Sequence, residues 1–224
     1  MLLYERDRAV SYWGNTVTKG EQTRRQIIAA AAPMFNQRGY EGSSLSELMA
    51  VTGLEKGGIY RHFSNKEELA VAAFEYSWKA ARDLRLEGLE HLRGIQWLKQ
   101  YIANFVEHRN PVSGGCPVLN TAVDADDGNP ALRAHAVKAI KSWRTRLQTI
   151  IERGMEDGEI RSDVDAKAAA TLIIATLEGA LMISRLEKSY LSMRQAQKYL
   201  ERYLDRELAV QPADSSVQLS GPAL

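Results

Sequence analysis

The hydrophobic and polar positions follow a helical period over most of the chain. Ile27, Ile28, Ala31 and Phe35 fall on one face of a helix expected over Lys19–Arg38, with Gly39 and Tyr40 as its stop. Pro33 removes one backbone bond inside it, and the alanines just before it offset part of that cost, so a bend is expected there and not a break. Leu45, Leu48 and Met49 form the stripe of a second, shorter helix. Ser44, with Glu47 three places on, reads as its capping box, and Gly53 as the turn that ends it. A third segment sends Leu54, Ile59 and Phe63 inward and keeps Glu55, Lys56, Gly57, Gly58, Tyr60, Arg61 and His62 on its polar side. Ser64-Asn65-Lys66-Glu67 reads as another capping box. It opens a helix reaching to about Leu92, with Leu69, Ala72, Ala73, Tyr76 and Ala80 on the inner side.

The same period continues. Ile95, Leu98, Ile102, Phe105 and Val106 predict a helix closed by Asn110 and Pro111, followed by a Gly-rich loop and a short helix over Val118–Ala125. Asn129, with Pro130 at the first helical position, opens a long helix ending at Asp157 and Gly158. Asp165 caps Ala166–Lys188, which is apolar on more than one face. Such a helix is buried on two sides, one against its own core and the other against a second subunit. Ser192 and Gln195 start the last helix, with Ala196, Tyr199, Leu200, Tyr203 and Leu204 inward. The expected fold is all-α, between a flexible arm over residues 1–18 and a disordered tail over 210–224.

Helix, tight turn and helix over Ser44–Phe63 is a helix-turn-helix, which lays its second helix in the major groove of DNA. Two consecutive glycines cost a short exposed helix roughly 1 kcal/mol each against alanine. Close approach of the backbone to a groove wall would compensate. The whole run, TRRQIIAAAAPMFNQRGYEGSSLSELMAVTGLEKGGIYRHFSNKEEL, resembles the DNA-binding domain of the tetracycline-repressor (TetR) family over roughly Lys19–Leu69. The motifs are F-x-x-x-G-Y (Phe35, Gly39, Tyr40), G-x-Y-x-H-F (Gly58, Tyr60, His62, Phe63) and K-E-x-L (Lys66, Glu67, Leu69). The resemblance implies an N-terminal three-helix DNA-binding domain over 19–69 and a C-terminal helical ligand-binding and dimerisation domain over 70–209. It also implies a homodimer, joined through its last two helices, that reads a near-palindromic operator in double-stranded DNA and answers to a small-molecule effector, with repression as the expected sign. It carries over Tyr60, His62 and Lys66 as phosphate contacts and places Lys56, Gly57 and Arg61 where the family reads bases, around Gly58. Ser44 and Thr52 offer hydroxyls to phosphates; the alternative for Ser44 is pure capping, and both roles can hold together.

Composition adjusts this picture. Lys and Arg number 29 against 28 Asp and Glu. Within residues 19–68 the balance is seven Lys and Arg against six Glu, so DNA binding must rest on a local patch. A single cysteine, Cys116, excludes an intrachain disulfide and fits a reducing, cytoplasmic setting. No signal peptide is apparent, and the apolar stretch Ala168–Ile183 reads as too short and too interrupted, by Glu178 among others, to span a membrane. His62, His91, His108 and His135 have no metal spacing, and neither a phosphate-cradling loop nor a nucleophile turn is present, so no enzyme, cofactor or metal is expected.

Effector-site candidates are Phe74, Trp78, Phe105, Cys116, Trp143, Leu147 and Leu177. The same residues read as core, and no charged anchor stands out among them. Cys116, in its Gly-rich loop, admits a thiol sensor of oxidants or electrophiles and, alternatively, a small buried hydrophobe. Two rivals remain open: a helical adaptor without DNA binding, favoured by the near-neutral charge, and a helical enzyme.

Overall fold

Side-chain caps decide where most helices begin. The computed structural model describes residues 18–211, so the expected arm and tail lie outside the described residues except for Thr18, Val210 and Gln211. Thr18 accepts from the Glu21 amide and starts α1 (Lys19–Arg38), which continues through Pro33 and ends at Gly39. The capping box of Ser44 and Glu47 starts α2 (Leu45–Thr52), and Gly53 closes it in the left-handed region at φ +68°. The segment α3 (Lys56–Tyr60) is a single short stretch of helix.

The start of α4 (Lys66–Leu86) differs from expectation. Its cap is Asn65, whose side chain accepts from the Glu68 amide, while the Glu68 carboxylate accepts from the Ser64 amide at 2.7 Å. The sequence S-N-K-E-E holds two overlapping cap patterns, and the one displaced by a residue is used. The helix also stops before Leu92, because Glu87 turns extended and Gly88 takes φ +75°. Next come α5 (Gly94–Glu107), α6 (Pro117–Asp124) and α7 (Pro130–Glu156), the last capped by Asn129. Asp165 caps α8 (Ala166–Glu187) as expected. The last helix, α9 (Leu191–Tyr203), follows Tyr190 without a side-chain cap, so Ser192 is not its start. A π-helical turn, Leu204–Leu208, then leads to an isolated bridge between Ile160 and Ala209; no strand occurs among the described residues.

Two large hydrophobic clusters share α4, with a small third one of Ala32, Ala73 and Val112 between them. The smaller of the two large ones gathers Ile27, Ala31, Leu48, Ile59, Phe63 and Leu69 from α1 to α4. Burial of each large side chain there contributes roughly 1.5–3 kcal/mol. The larger holds Ala70, Phe74 and Trp78 of α4 together with α5 to α9. Tyr76 and Tyr199, expected inward, are 45% and 55% exposed; the inner stripe of α4 instead runs through Ala73, Phe74, Ser77, Trp78, Ala81 and Arg85. At 22 residues and mean hydropathy 1.6, α8 is long enough to cross a membrane, longer than the stretch read from sequence. Its buried face carries Glu178 and packs against the larger core.

Polar ties bind the two clusters. Asn36 of α1 donates to the carbonyls of Ser113 and Gly115 at 3.0 and 3.2 Å. Asn120 of α6 donates back to the Asn36 carbonyl and to that of Gly114, each at 2.8 Å. The Tyr40 amide donates to Asp124 at 2.8 Å, and Asn129 donates to Glu67 at 2.7 Å.

Candidate functional site

The segment α2–turn–α3 presents its polar side outward because Ile59 and Phe63, at 1% and 2% exposure, fix its inner side. Lys56, Gly57 and Arg61 are exposed, while Gly58, Tyr60, His62 and Lys66 are half-buried. A Cβ added at Gly57 meets open space, so its backbone can be approached closely from outside. Gly58 has an internal reason: an added Cβ would lie 3.3 Å from Leu54 Cβ. The two glycines, grouped together on sequence, therefore serve different ends.

Two hydroxyls are committed elsewhere. Ser44 Oγ donates to Glu47 Oε2 at 2.8 Å and accepts from the Glu47 amide. Thr52 Oγ1 donates to the Leu48 carbonyl at 2.7 Å. A phosphate oxygen only accepts, so neither hydroxyl has a proton free for it in this conformation.

The ion pairs change the meaning of the near-neutral charge. Arg24 pairs with Glu68, Arg25 with Glu21 and Arg38 with Glu47. Lys56, Arg61 and Lys66 have no carboxylate partner among the described residues; Lys66 lies over the Tyr40 ring, 4.2 Å from its centre. Backbone and side-chain hydrogen bonds from Ser44, with Arg38 adding to them, lower the Glu47 pKa, which keeps that carboxylate ionised and engaged. The cations nearest the recognition segment are thus the ones left unneutralised.

The seven expected effector residues are all buried in the larger core. The structure brings three aromatics together: Trp143 lies 5.8 Å from Trp78 and 5.9 Å from Phe105, ring centre to ring centre. Only Phe105 of the seven borders the large cleft of about 380 Å³, and Phe74 borders a small cavity of about 20 Å³ between α1, α4 and α6. Trp78, Cys116, Trp143, Leu147 and Leu177 border neither and pack as core. Cys116 is 1% exposed, and burial, with the charge of Glu178, pushes its thiol up to about 12 despite Arg85. Such a thiol stays protonated near neutral pH, so the buried-hydrophobe reading fits and the reactive sensor does not.

Sequence reasoning missed the charged groups of this core. Arg85 is 4% exposed, with its guanidinium over the rings of Phe105 and Trp143 at 4.2 and 4.9 Å. Glu178 is 9% exposed, and burial, opposed by Arg85, raises its pKa. The signal was available: Trp78, Ala81 and Arg85 lie at i, i+3 and i+7 on one helix face, and Glu178 interrupts an apolar run. The cleft wall is completed by Arg109, Gly115, Arg185 and Tyr190, from segments far apart in sequence.

Residues 27–73 match the family model described as bacterial regulatory proteins, tetR family, and residues 93–200 match that of the tetracyclin repressor-like C-terminal domain. A TetR transcriptional regulator from Chloroflexus aurantiacus is 42% identical, with a TM-score of 0.82, covering 86% of this chain and 99% of its own. A TetR-family transcriptional regulator from Cytophaga hutchinsonii is 34% identical, also at 0.82, covering 88% and 100%. The HTH-type transcriptional repressor DhaR of a Mycobacterium species is 24% identical over 74% of this chain and 84% of its own.

Proposed function

The chain belongs to the TetR family of DNA-binding transcriptional regulators, and we propose that it is a dimeric, ligand-responsive repressor acting in the cytoplasm. Its role is regulatory and not catalytic. The observation that carries the DNA-contact assignment is the charge arrangement around α3: Lys56, Arg61 and Lys66 stand free of carboxylates while neighbouring arginines are paired. In this reading Lys56, Gly57 and Arg61 approach base edges, Tyr60, His62 and Lys66 hold phosphates, and Gly58 packs on Leu54 to set the height of the helix. Ser44 and Thr52 act by holding α2.

The outer face of α8 supports a dimer. Leu172, Met182, Ile183 and Leu186 are 41%, 49%, 40% and 78% exposed, and Tyr199 of α9 lies among the exposed apolar residues. A twofold pairing of these faces would cover them and set two recognition segments toward successive major grooves, about 34 Å apart. The polar ties of Asn36, Asp124 and Asn129 support transmission from the C-terminal helices to α1 and α4. An effector needs only about 1–3 kcal/mol of preference for one arrangement to change DNA affinity usefully.

Selection from random duplex oligonucleotides tests the proposal, and a near-palindromic site is the expected product. Tyr60→Ala should weaken binding to that site while sedimentation still reports a dimer. A Tyr60→Ala variant that binds as tightly as the parent, or a selection that yields no site, would overturn the DNA-contact assignment.

A further inference from the structure

We propose that the cleft between the C-terminal ends of α5 and α8 and the start of α9 binds a small organic anion, a carboxylate or phosphate monoester head on an apolar body, and that this anion is the effector. The second half rests on the ligand-responsive reading above; the binding itself does not.

The cleft measures about 380 Å³, within the range of roughly 300–1,000 Å³ usual for small-molecule sites. Arg85, Arg109 and Arg185 all border it, and no aspartate or glutamate does. The Nη1 of Arg85 is buried and has no hydrogen-bond partner among the described residues. Stacking on Phe105 and Trp143 fixes the guanidinium without satisfying its N–H groups. A buried charged donor left unpaired is costly, and an oxyanion entering the cleft removes that cost.

The one buried carboxyl nearby does not do the work. Both oxygens of Glu178 also lack hydrogen-bond partners, and no ion pair joins Glu178 to Arg85. Burial raises the Glu178 pKa and Arg85 opposes the shift, but the geometry leaves Arg85 Nη1 without an acceptor.

The walls suit the rest of such a molecule. Val106, Val112, Leu181 and Met193 give apolar surface for its body. Arg109 lies 5.9 Å from the centre of the Tyr190 ring at the rim. Arg185 lies along Gly115, where φ is +96° and an added Cβ would sit 2.9 Å from Arg185 Nε. That glycine thus leaves room for a second guanidinium on the cleft wall. The same Ser113–Gly115 loop is hydrogen-bonded to Asn36 of α1, so an occupant that moves the loop pulls on the DNA-binding helices.

The full chain is titrated with benzoate, hexanoate and phenyl phosphate and with the neutral counterparts benzamide, hexanamide and phenol. Binding is read from tryptophan fluorescence, since Trp143 stacks under Arg85, and from the melting temperature. Anions of at least one type should bind saturably, with the neutral partner weaker by about tenfold or more. Arg85→Met should abolish that preference and Arg185→Gln should reduce it. If Arg85→Met does not fold, Arg185→Gln combined with Arg109→Gln decides. Equal binding of anions and amides, no saturable binding of any anion, or full anion preference in the folded variants would overturn the site. Operator affinity is measured in parallel without and with each anion. Arginine-dependent binding that leaves operator affinity unchanged overturns the effector assignment, whereas a ligand-free protein that binds no DNA defeats the repressor reading and leaves the anion result standing.

Discussion

Lys66→Gln separates free from paired cations at the DNA interface. Around α3, among the described residues, each protomer offers three cations without carboxylate partners, Lys56, Arg61 and Lys66; Lys66 is the one read as a phosphate contact, and a dimer doubles it. Every phosphate neutralised steepens the fall of log K with log salt by about 0.9, so the two Lys66 contacts of a dimer contribute about −1.8 to the slope, a weakening of about 12-fold between 50 and 200 mM salt. Removing Lys66 from both protomers takes that contribution away. The control is Arg38→Gln, whose cation is held by Glu47; its slope should match the parent. Fluorescence anisotropy on the selected operator across that salt range measures all three. A Lys66→Gln slope equal to the parent's, or an Arg38→Gln slope reduced as much, refutes the reasoning that unpaired cations carry the electrostatic affinity.

Other outcomes follow from the same structure. Leu147→Ala, at a fully buried position, should cost roughly 2–5 kcal/mol in chemical denaturation, and the anion titration of the folded variant should keep its arginine dependence. Cys116, with its thiol pushed up to about 12 by burial and Glu178, should resist alkylation at pH 8 until the chain unfolds. Its unfolded thiol ionises first, so the native state holds the extra proton and stability falls as pH rises from about 9 toward 12; Cys116→Ala should flatten that limb in denaturation measured across pH. Asn129→Ala loses the cap of α7 and the tie to Glu67 and should lower stability by about 1 kcal/mol, while Asn129→Ser, which keeps a capping oxygen, should recover most of it.

Legibility followed the distance over which each signal acts. Ser44, Asn129 and Asp165 could be read as caps because a cap relates a residue to one three places on. The start of α4 was misplaced by one residue because Ser64 and Asn65 both satisfy that local pattern, and only packing chooses between them. Tyr76 and Tyr199 were sent inward because an amphipathic ring fits the apolar period while tolerating exposure. The recognition segment was legible because Lys56 to Lys66 are contiguous. Its charge balance was not, because Arg24 finds Glu68 across 44 residues. The cleft draws on α4, the loop after α5, α8 and α9, so no window of sequence contains it.

The exchange of hydrogen bonds between Asn36, Asn120 and the Ser113–Gly115 loop has a practical consequence for anyone splicing regulators. A hybrid joined within α4 after Leu69 would look like a clean transplant of one reading head onto another sensor. It would in fact separate Asn36 from its carbonyl partners, Tyr40 from Asp124 and Glu67 from Asn129. A graft that carries foreign residues at those positions should retain its operator yet go deaf to its inducer, so the compatible donors are those that bring along with the head an asparagine at position 36, an acceptor at 67 and a glycine at 39, where an added Cβ would run into the Asp124 carboxylate.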